Sequence, residues 1–235
     1  LNVTNEMQKA LYYCEQSYAM TVSIYGMMNS KVVVALNNLA IVYSQLAQYD
    51  KALQCYNDAL DIIVLLYGEK HHHVGDNYAN RATLYSKMGN IEQARIYTEK
   101  ALTIFIDYYG ERHSTVAIAY NNLGALFYDQ GMKQEAFDNY AKAISIYRDI
   151  YGEDHKSLAD PYNGLGTLYM SLKKYDEAQT YLEKSLSIRL NTYGERHSDV
   201  AVSYSNLSQI YQVKGDYEKA EEYLSEIPDH ADPDS

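Results

Sequence analysis

The sequence predicts an all-α array of tandem helical hairpins, and three observations carry that prediction. A pentad recurs as Tyr67-Gly68-Glu69-Lys70-His71, Tyr109-Gly110-Glu111-Arg112-His113, Tyr151-Gly152-Glu153-Asp154-His155 and Tyr193-Gly194-Glu195-Arg196-His197, each copy 42 residues after the last, with Tyr25-Gly26 one step further upstream. Alanine holds one register throughout, at Ala52, Ala94, Ala136, Ala178 and Ala220. Between these marks the apolar residues follow the three-and-four spacing of amphipathic helices. Self-similarity at a fixed period of this length marks a protein whose units bury their apolar faces against their neighbours.

Residues 5–26 read as an outer helix without its inner partner, because Ala10 stands 42 positions before Ala52. Leu1 in the place of an initiator Met suggests a piece of a longer protein. Hairpin repeats follow at about 30–68, 72–110, 114–152, 156–194 and 198–227, forming a single array over 1–227, with an acidic tail at 228–235 expected to be flexible. The third repeat shows the pattern. Val116, Ile118, Ala119, Leu123, Leu126 and Phe127 line an inner helix that Gly131 stops in the αL conformation. Ala136, Phe137, Tyr140, Ala143, Ile144, Ile146 and Tyr147 line an outer helix that ends at Gly152. The invariant alanines mark close helix crossings. Ser114 and Ser198 are expected N-caps. Pro161 predicts a fourth inner helix starting near Asp160, with the proline at its first position. Arg81 replaces the leucine of Leu39, Leu123, Leu165 and Leu207, marking the second repeat as irregular.

Composition narrows the function. The 31 Asp and Glu exceed the 20 Lys and Arg, giving a formal charge of −11, a field that repels phosphate backbones and argues against nucleic acid. With 27 Tyr, 3 Phe and no Trp, tyrosine fills the aromatic core positions, its ring between helices and its hydroxyl at a wet edge. Cys14 and Cys55 are too few for a disulfide framework; reduced, buried thiols in a cytoplasmic protein are the expectation. The longest apolar run, Ile62 to Tyr67, falls far short of the roughly 20 residues a spanning helix needs, so no membrane insertion is expected.

The register alanines, the small residues Ala40, Gly124, Gly166 and Ser208, and the aromatic set Tyr43, Tyr85, Phe127, Tyr169 and Tyr211 resemble the tetratricopeptide repeat (TPR). The 42-residue period, Asn37-Asn38-Leu39-Ala40, Asn121-Asn122-Leu123-Gly124 and the Tyr-Gly-Glu-x-His linker resemble the kinesin light chain type, over about residues 5–227. The family linker usually reads His-Pro, whereas His71, His113, His155 and His197 are followed here by His72, Ser114, Lys156 and Ser198. The resemblance implies a right-handed α-solenoid, a superhelix of TPR hairpins, serving as a protein–protein interaction scaffold that binds a partner's peptide segment in its concave groove.

The groove residues so implied are Asn37, Asn38, Ile41 and Ser44 in the first full repeat and Asn80, Thr83 and Lys87 in the second. The third contributes Asn121, Asn122, Ala125 and Tyr128, the fourth Asn163, Thr167 and Met170, and the fifth Ser205, Asn206 and Gln209. An asparagine offers a donor and an acceptor together, so a ladder of them matches an extended peptide backbone. The alternative is that each asparagine braces a neighbouring hairpin's backbone. Chaperone-binding relatives clamp a terminal carboxylate with basic residues at these offsets. Here those places hold Asn37, Ala79, Asn121, Asn163 and Ser205, so that clamp is missing.

No catalytic signature appears, and no enzyme activity or cofactor is expected. Gly164-Leu165-Gly166 falls in phase with the small residues of other inner helices and reads as packing. Linker histidines 42 residues apart stand too far from one another to share an ion. The triplet His71-His72-His73 suits a loop that catches a metal weakly, so no metal site is expected. The rival to peptide binding is a regulatory or oligomerisation module of a larger multidomain protein. It would act by intramolecular contacts or by self-association through the unpaired N-terminal helix, where Leu11 and Ile24 lack an inner partner.

Overall fold

The computed structural model describes residues 2–227, with side chains from residue 6; the acidic tail, 228–235, lies outside the described residues. Those residues form eleven α-helices and no strand. They are α1 (Asn2–Tyr25), α2 (Ser30–Gln45), α3 (Tyr49–Tyr67), α4 (His72–Lys87), α5 (Ile91–Tyr109), α6 (Ser114–Asp129), α7 (Lys133–Tyr151), α8 (Ala159–Ser171), α9 (Tyr175–Tyr193), α10 (Ser198–Lys214) and α11 (Tyr217–Ser225). A 3₁₀ turn, Lys156–Leu158, leads into α8. The helices divide between two compact units, Leu1–Gly110 holding α1–α5 and a second beginning at Glu111 that holds α6–α11.

In the first unit α2 and α3 pair, and Val32, Leu36 and Leu39 pack with Tyr56, Ala59 and Ile62, joined by Leu11 of α1 and Leu84 of α4. Leu11 is therefore covered, against the expectation from sequence. The reason is lateral: α2, the inner helix of the following hairpin, also packs on α1. Ile24 does stay exposed. Cys55 is buried in this core, and desolvation, with Asp58 adding to it, pushes its thiol up to about 11, so it stays protonated. Cys14 is half-exposed, where burial had been expected.

The second unit packs two cores. One gathers Tyr140, Ile144 and Tyr147 of α7 with Tyr162, Leu165 and Leu168 of α8; the other gathers Leu182 and Leu186 of α9 with Val200, Tyr204, Leu207 and Ile210 of α10. The register alanines sit at the crossings: Ala52, Ala94, Ala136 and Ala178 are 0% exposed and Ala220 2%. Gly124 and Gly164 both lie against the Tyr140 ring, where an added Cβ would come within 2.7 and 2.4 Å of it. Gly166 packs on Leu182 in the same way, so Gly164-Leu165-Gly166 is packing.

Tyrosine pairs hold the hairpins shut. Tyr85 stacks on Tyr97, Tyr169 on Tyr181 and Tyr211 on Tyr223, at centroid distances of 5.3, 5.5 and 5.4 Å and within 16° of parallel. The outer partners recur at the same 42-residue register as the inner ones.

The linkers are capped by histidine where serine had been expected. His71, His113, His155 and His197 are the N-cap residues, and each Nδ1 accepts the backbone N–H two residues on, at 3.1–3.3 Å. Ser114 and Ser198 are the first helical residues instead. An imidazole acceptor at the cap satisfies one of the N–H groups that the first turn leaves unpaired. The tyrosine four residues earlier fixes the ring: Tyr67, Tyr151 and Tyr193 stack on His71, His155 and His197 at 4.7, 4.1 and 4.2 Å. The linker glycines of three of these pentads, Gly68, Gly110 and Gly194, have φ near +80° with ψ of 165–172°, a region essentially closed to residues with a Cβ. Pro161 is the third residue of α8, since the helix begins at Ala159; all of the first-turn N–H groups lack intrahelical partners, so the proline costs no bond there either.

Candidate functional site

The inner helices of each unit present a recurring stripe. On α2, Val34, Asn37, Asn38 and Ile41 follow the i, i+3, i+4, i+7 spacing of one face, with Val34 59% and Ile41 47% exposed. On α6 the same register holds Ile118, Asn121, Asn122 and Ala125, with Ile118 51% exposed. Each half-buried asparagine thus lies beside exposed branched aliphatic side chains.

The amide bonding differs between repeats. Asn37 Oδ1 and Asn121 Oδ1 are buried and have no hydrogen-bond partner within the protein. By contrast, Asn206 Nδ2 donates to Asn163 Oδ1 at 3.0 Å, tying α10 to α8. The asparagines therefore split into two kinds: Asn163 and Asn206 brace one another, while Asn37 and Asn121 hold acceptors that nothing inside the chain uses. A buried acceptor without a partner costs about 1–3 kcal/mol, and such deficits call for a functional or structural reason.

The remaining groove positions sort by exposure. Asn38, Ile41, Thr83, Lys87, Asn122, Ala125 and Gln209 are exposed, and Asn80, Tyr128, Thr167, Met170 and Ser205 are half-buried. Two hydroxyls are spent locally, Thr83 Oγ1 donating to the Ala79 carbonyl and Thr167 Oγ1 to the Gly164 carbonyl. Ser44 is the exception to the expected groove. It is 8% exposed, one turn beyond Ile41 where α2 turns into the core, and offers no ligand surface.

In the first unit a cleft of about 230 Å³ opens beside Asn37. Val33, Val34, Ile63 and Tyr67 supply apolar walls, and Lys31, His73 and Asp76 supply charged or polar ones. Asn77 also lines it and was missed from sequence: it is 1% exposed, its Nδ2 donates to the Tyr56 carbonyl at 2.9 Å, and its Oδ1 has no partner. Its signal was register, for Asn77 stands where other repeats have Ala35, Ala119 and Ser203. Arg81, one turn on and 7% exposed, lies over the Tyr97 ring and donates to Asn57 Oδ1.

The histidine triplet does not form a loop. His71 caps α4 and His72 and His73 make its first turn. Burial, then the neighbouring His72 and His73, hold the His71 imidazole below its ordinary range, against a smaller opposing pull from Asp76. A neutral ring suits a capping acceptor.

The second unit carries a separate cleft of about 530 Å³ between α7, α8 and α9, walled by Phe137, Ile144, Arg148, Tyr162, Tyr181 and Lys184 among others. Arg148 is paired there with Glu153, so its charge is already met. No described helix is long and apolar enough to cross a membrane.

The same architecture recurs among solved structures. BtubC (BKLC) from P. vanneervenii is 25% identical, with 93% of this chain and 88% of that one covered and a TM-score of 0.80. A Podosopora anserina protein with nearly identical TPR-like repeats, described as a kinesin light chain, is 21% identical over 83% of this chain and 92% of its own, with a TM-score of 0.67. The apo form of RapI, 18% identical over 81% of this chain and 67% of its own, gives 0.69 and shares the fold. No curated protein matches. The tetratricopeptide repeat model matches residues 3–63, 31–107, 73–149, 116–169 and 157–227, overlapping windows that run through α1–α11, and the chain belongs to the tetratricopeptide repeat family.

Proposed function

We propose that the inner-helix stripe of each unit binds an extended peptide segment of a partner protein. The tetratricopeptide repeat generally serves as a protein-interaction scaffold rather than a catalyst, and the finer reading rests on one observation: the amide oxygens of Asn37 and Asn121 have no partner in the free chain. No hydrogen bond within the chain holds either oxygen inward. A rotation about the side-chain torsions brings it to a peptide N–H while the amide N–H₂ meets the adjacent carbonyl. Val34, Ile41 and Ile118 supply apolar contact beside these amides. Tyr128 and Met170 are further anchors. The affinity is modest and tolerant of related sequences, because backbone contacts carry no side-chain information. The free thiols of Cys14 and Cys55 accord with a reducing, cytoplasmic setting.

The test is selection of a displayed peptide library on the full chain, followed by affinity measurements on Asn37→Ala and Asn121→Ala. Loss of one to two hydrogen bonds predicts weakening of about five- to twentyfold. Selected peptides that bind both variants as tightly as the parent chain would contradict the reading.

A second reading has its own observation. Tyr12, Tyr13, Met20, Ile24, Met27 and Met28, on α1 and the turn after it, are 47–69% exposed, a face suited to a further helix or a second copy. A mass that grows with concentration in sedimentation would support it.

A further inference from the structure

The first turn of α4 gathers metal-ligating side chains that neither the cap nor the groove requires. His72 and His73 stand four and three residues before Asp76, so all three project over one patch of the helix. His72 Nδ1 and His73 Nδ1 each lie 3.2 Å from the same oxygen, Asp76 Oδ2. A tetrahedral ion with ligands at about 2.0–2.1 Å holds its donors about 3.3 Å from one another. Both contacts therefore already have the edge length of such a site. The ligand atoms of His71, His72 and His73 lie within 4.8 Å of one another, but the neutral His71 ring accepts at Nδ1 and so carries its proton on Nε2, which keeps it in the cap rather than on an ion.

We propose that His72, His73 and Asp76 bind a borderline divalent transition-metal ion of the Zn²⁺ class, with water in the fourth position. The ligands are accessible: the side chains of His72, His73 and Asp76 are 23%, 43% and 49% exposed. They are also held in place, for Tyr108 lies against His71 and His72, and Tyr67 against His71 and His73. The positive end of α4 opposes a cation there. The Asp76 carboxylate offsets that.

The repeats supply a comparison within the chain. Every linker histidine caps its helix, yet the two residues after the cap are Ser114 and Thr115, Lys156 and Ser157, or Ser198 and Asp199 in the other copies, and the Asp76 register holds Ile118, Asp160 or Val202. Capping is therefore achieved without the ligand set. In the absence of metal, both imidazoles donate Nδ1–H to Asp76, which accounts for the same distances and makes the question experimental. Because His73 and Asp76 also line the cleft beside Asn37, a bound ion adds positive charge to that wall.

The full chain is titrated with Co²⁺ as a spectroscopic probe and with Zn²⁺ by calorimetry. The expected result is one site of micromolar affinity with the intense visible absorption of tetrahedral Co²⁺, displaced by Zn²⁺. Asp76→Asn and His72→Asn/His73→Asn should each weaken Zn²⁺ binding at least tenfold. Their metal-free helicity should match the parent chain, since the His71 cap is untouched, with melting lowered slightly by the lost contacts to Asp76. Zn²⁺ should raise the melting temperature of the parent and not of the variants. Binding no tighter than millimolar, unchanged affinity in the variants, or a thiolate-to-cobalt charge-transfer band that moves the ion to Cys14 would each overturn the proposal. Should a variant fail to fold, the parent chain's stoichiometry and Co²⁺ spectrum decide the matter alone.

Discussion

At the scale of single residues, the asparagines give opposite predictions for stability and binding. Asn37→Ala removes a buried acceptor without a partner and improves helix propensity, so the free chain should gain about 1 kcal/mol and melt higher. Asn163→Ala leaves Asn206 Nδ2 without its acceptor and should lose about 1 kcal/mol, read as a lower melting temperature. A binding residue that costs stability is the usual trade at functional sites. If both substitutions destabilise alike, the two kinds of asparagine are one. The distinction was illegible in the sequence, where Asn37, Asn121 and Asn163 share one register. The residue 43 positions on decides it only for Asn121, where that place is Gly164; Asn37 has Asn80 there just as Asn163 has Asn206, yet only the Asn163–Asn206 pair bonds, a difference of side-chain geometry that no register shows. The linker histidines were better signalled. Their place at the turn followed from the pentad, but their capping role did not, because serine is the commoner cap and Ser114 and Ser198 follow immediately.

Between elements, the invariant alanine register sets how closely the helices of each hairpin cross. Ala136→Leu adds three carbons at a 0% exposed position and should cost about 1–3 kcal/mol by overpacking, measured as a shift in the denaturant midpoint. An unchanged midpoint would place the crossing elsewhere. His155→Ala should cost about 0.5–2 kcal/mol through the lost cap on the 3₁₀ turn before α8, and His155→Asn, itself a good cap, should recover most of it. The period of 42 made these crossings readable, since five copies of one alanine outweigh any single propensity. The start of α8 was less readable. Pro161 is tolerated at any of the first three helical positions, so its presence fixed the helix start only to within two residues.

Across the whole molecule, the unusual aromatic content becomes a pH dependence. Burial raises the phenol of Tyr147 to about 12, and Tyr43 and Tyr223 reach about 12 through burial together with nearby carboxylates and hydroxyls. Because the folded state holds these protons above the ordinary value of 10, their contribution is intact below pH 10 and is lost as pH rises through the folded values. Stability should therefore fall steeply between about pH 10 and 12, with tyrosinate absorbance and loss of helicity moving together. Ionisation of Tyr43, Tyr147 and Tyr223 ahead of any loss of helicity would contradict this. The tyrosine bias and the repeat period gave the architecture, whereas the division into two compact units at Gly110 left no mark in the sequence, where the linker pentad runs through unchanged. The most direct test of the central claim is a titration of the isotope-labelled chain with a selected peptide, following the asparagine side-chain amides by NMR. The account predicts large shifts for Asn37 and Asn121 with Asn206 nearly still. Shifts confined to the second unit's cleft around Phe137 and Tyr181, with Asn37 and Asn121 unmoved, would contradict it.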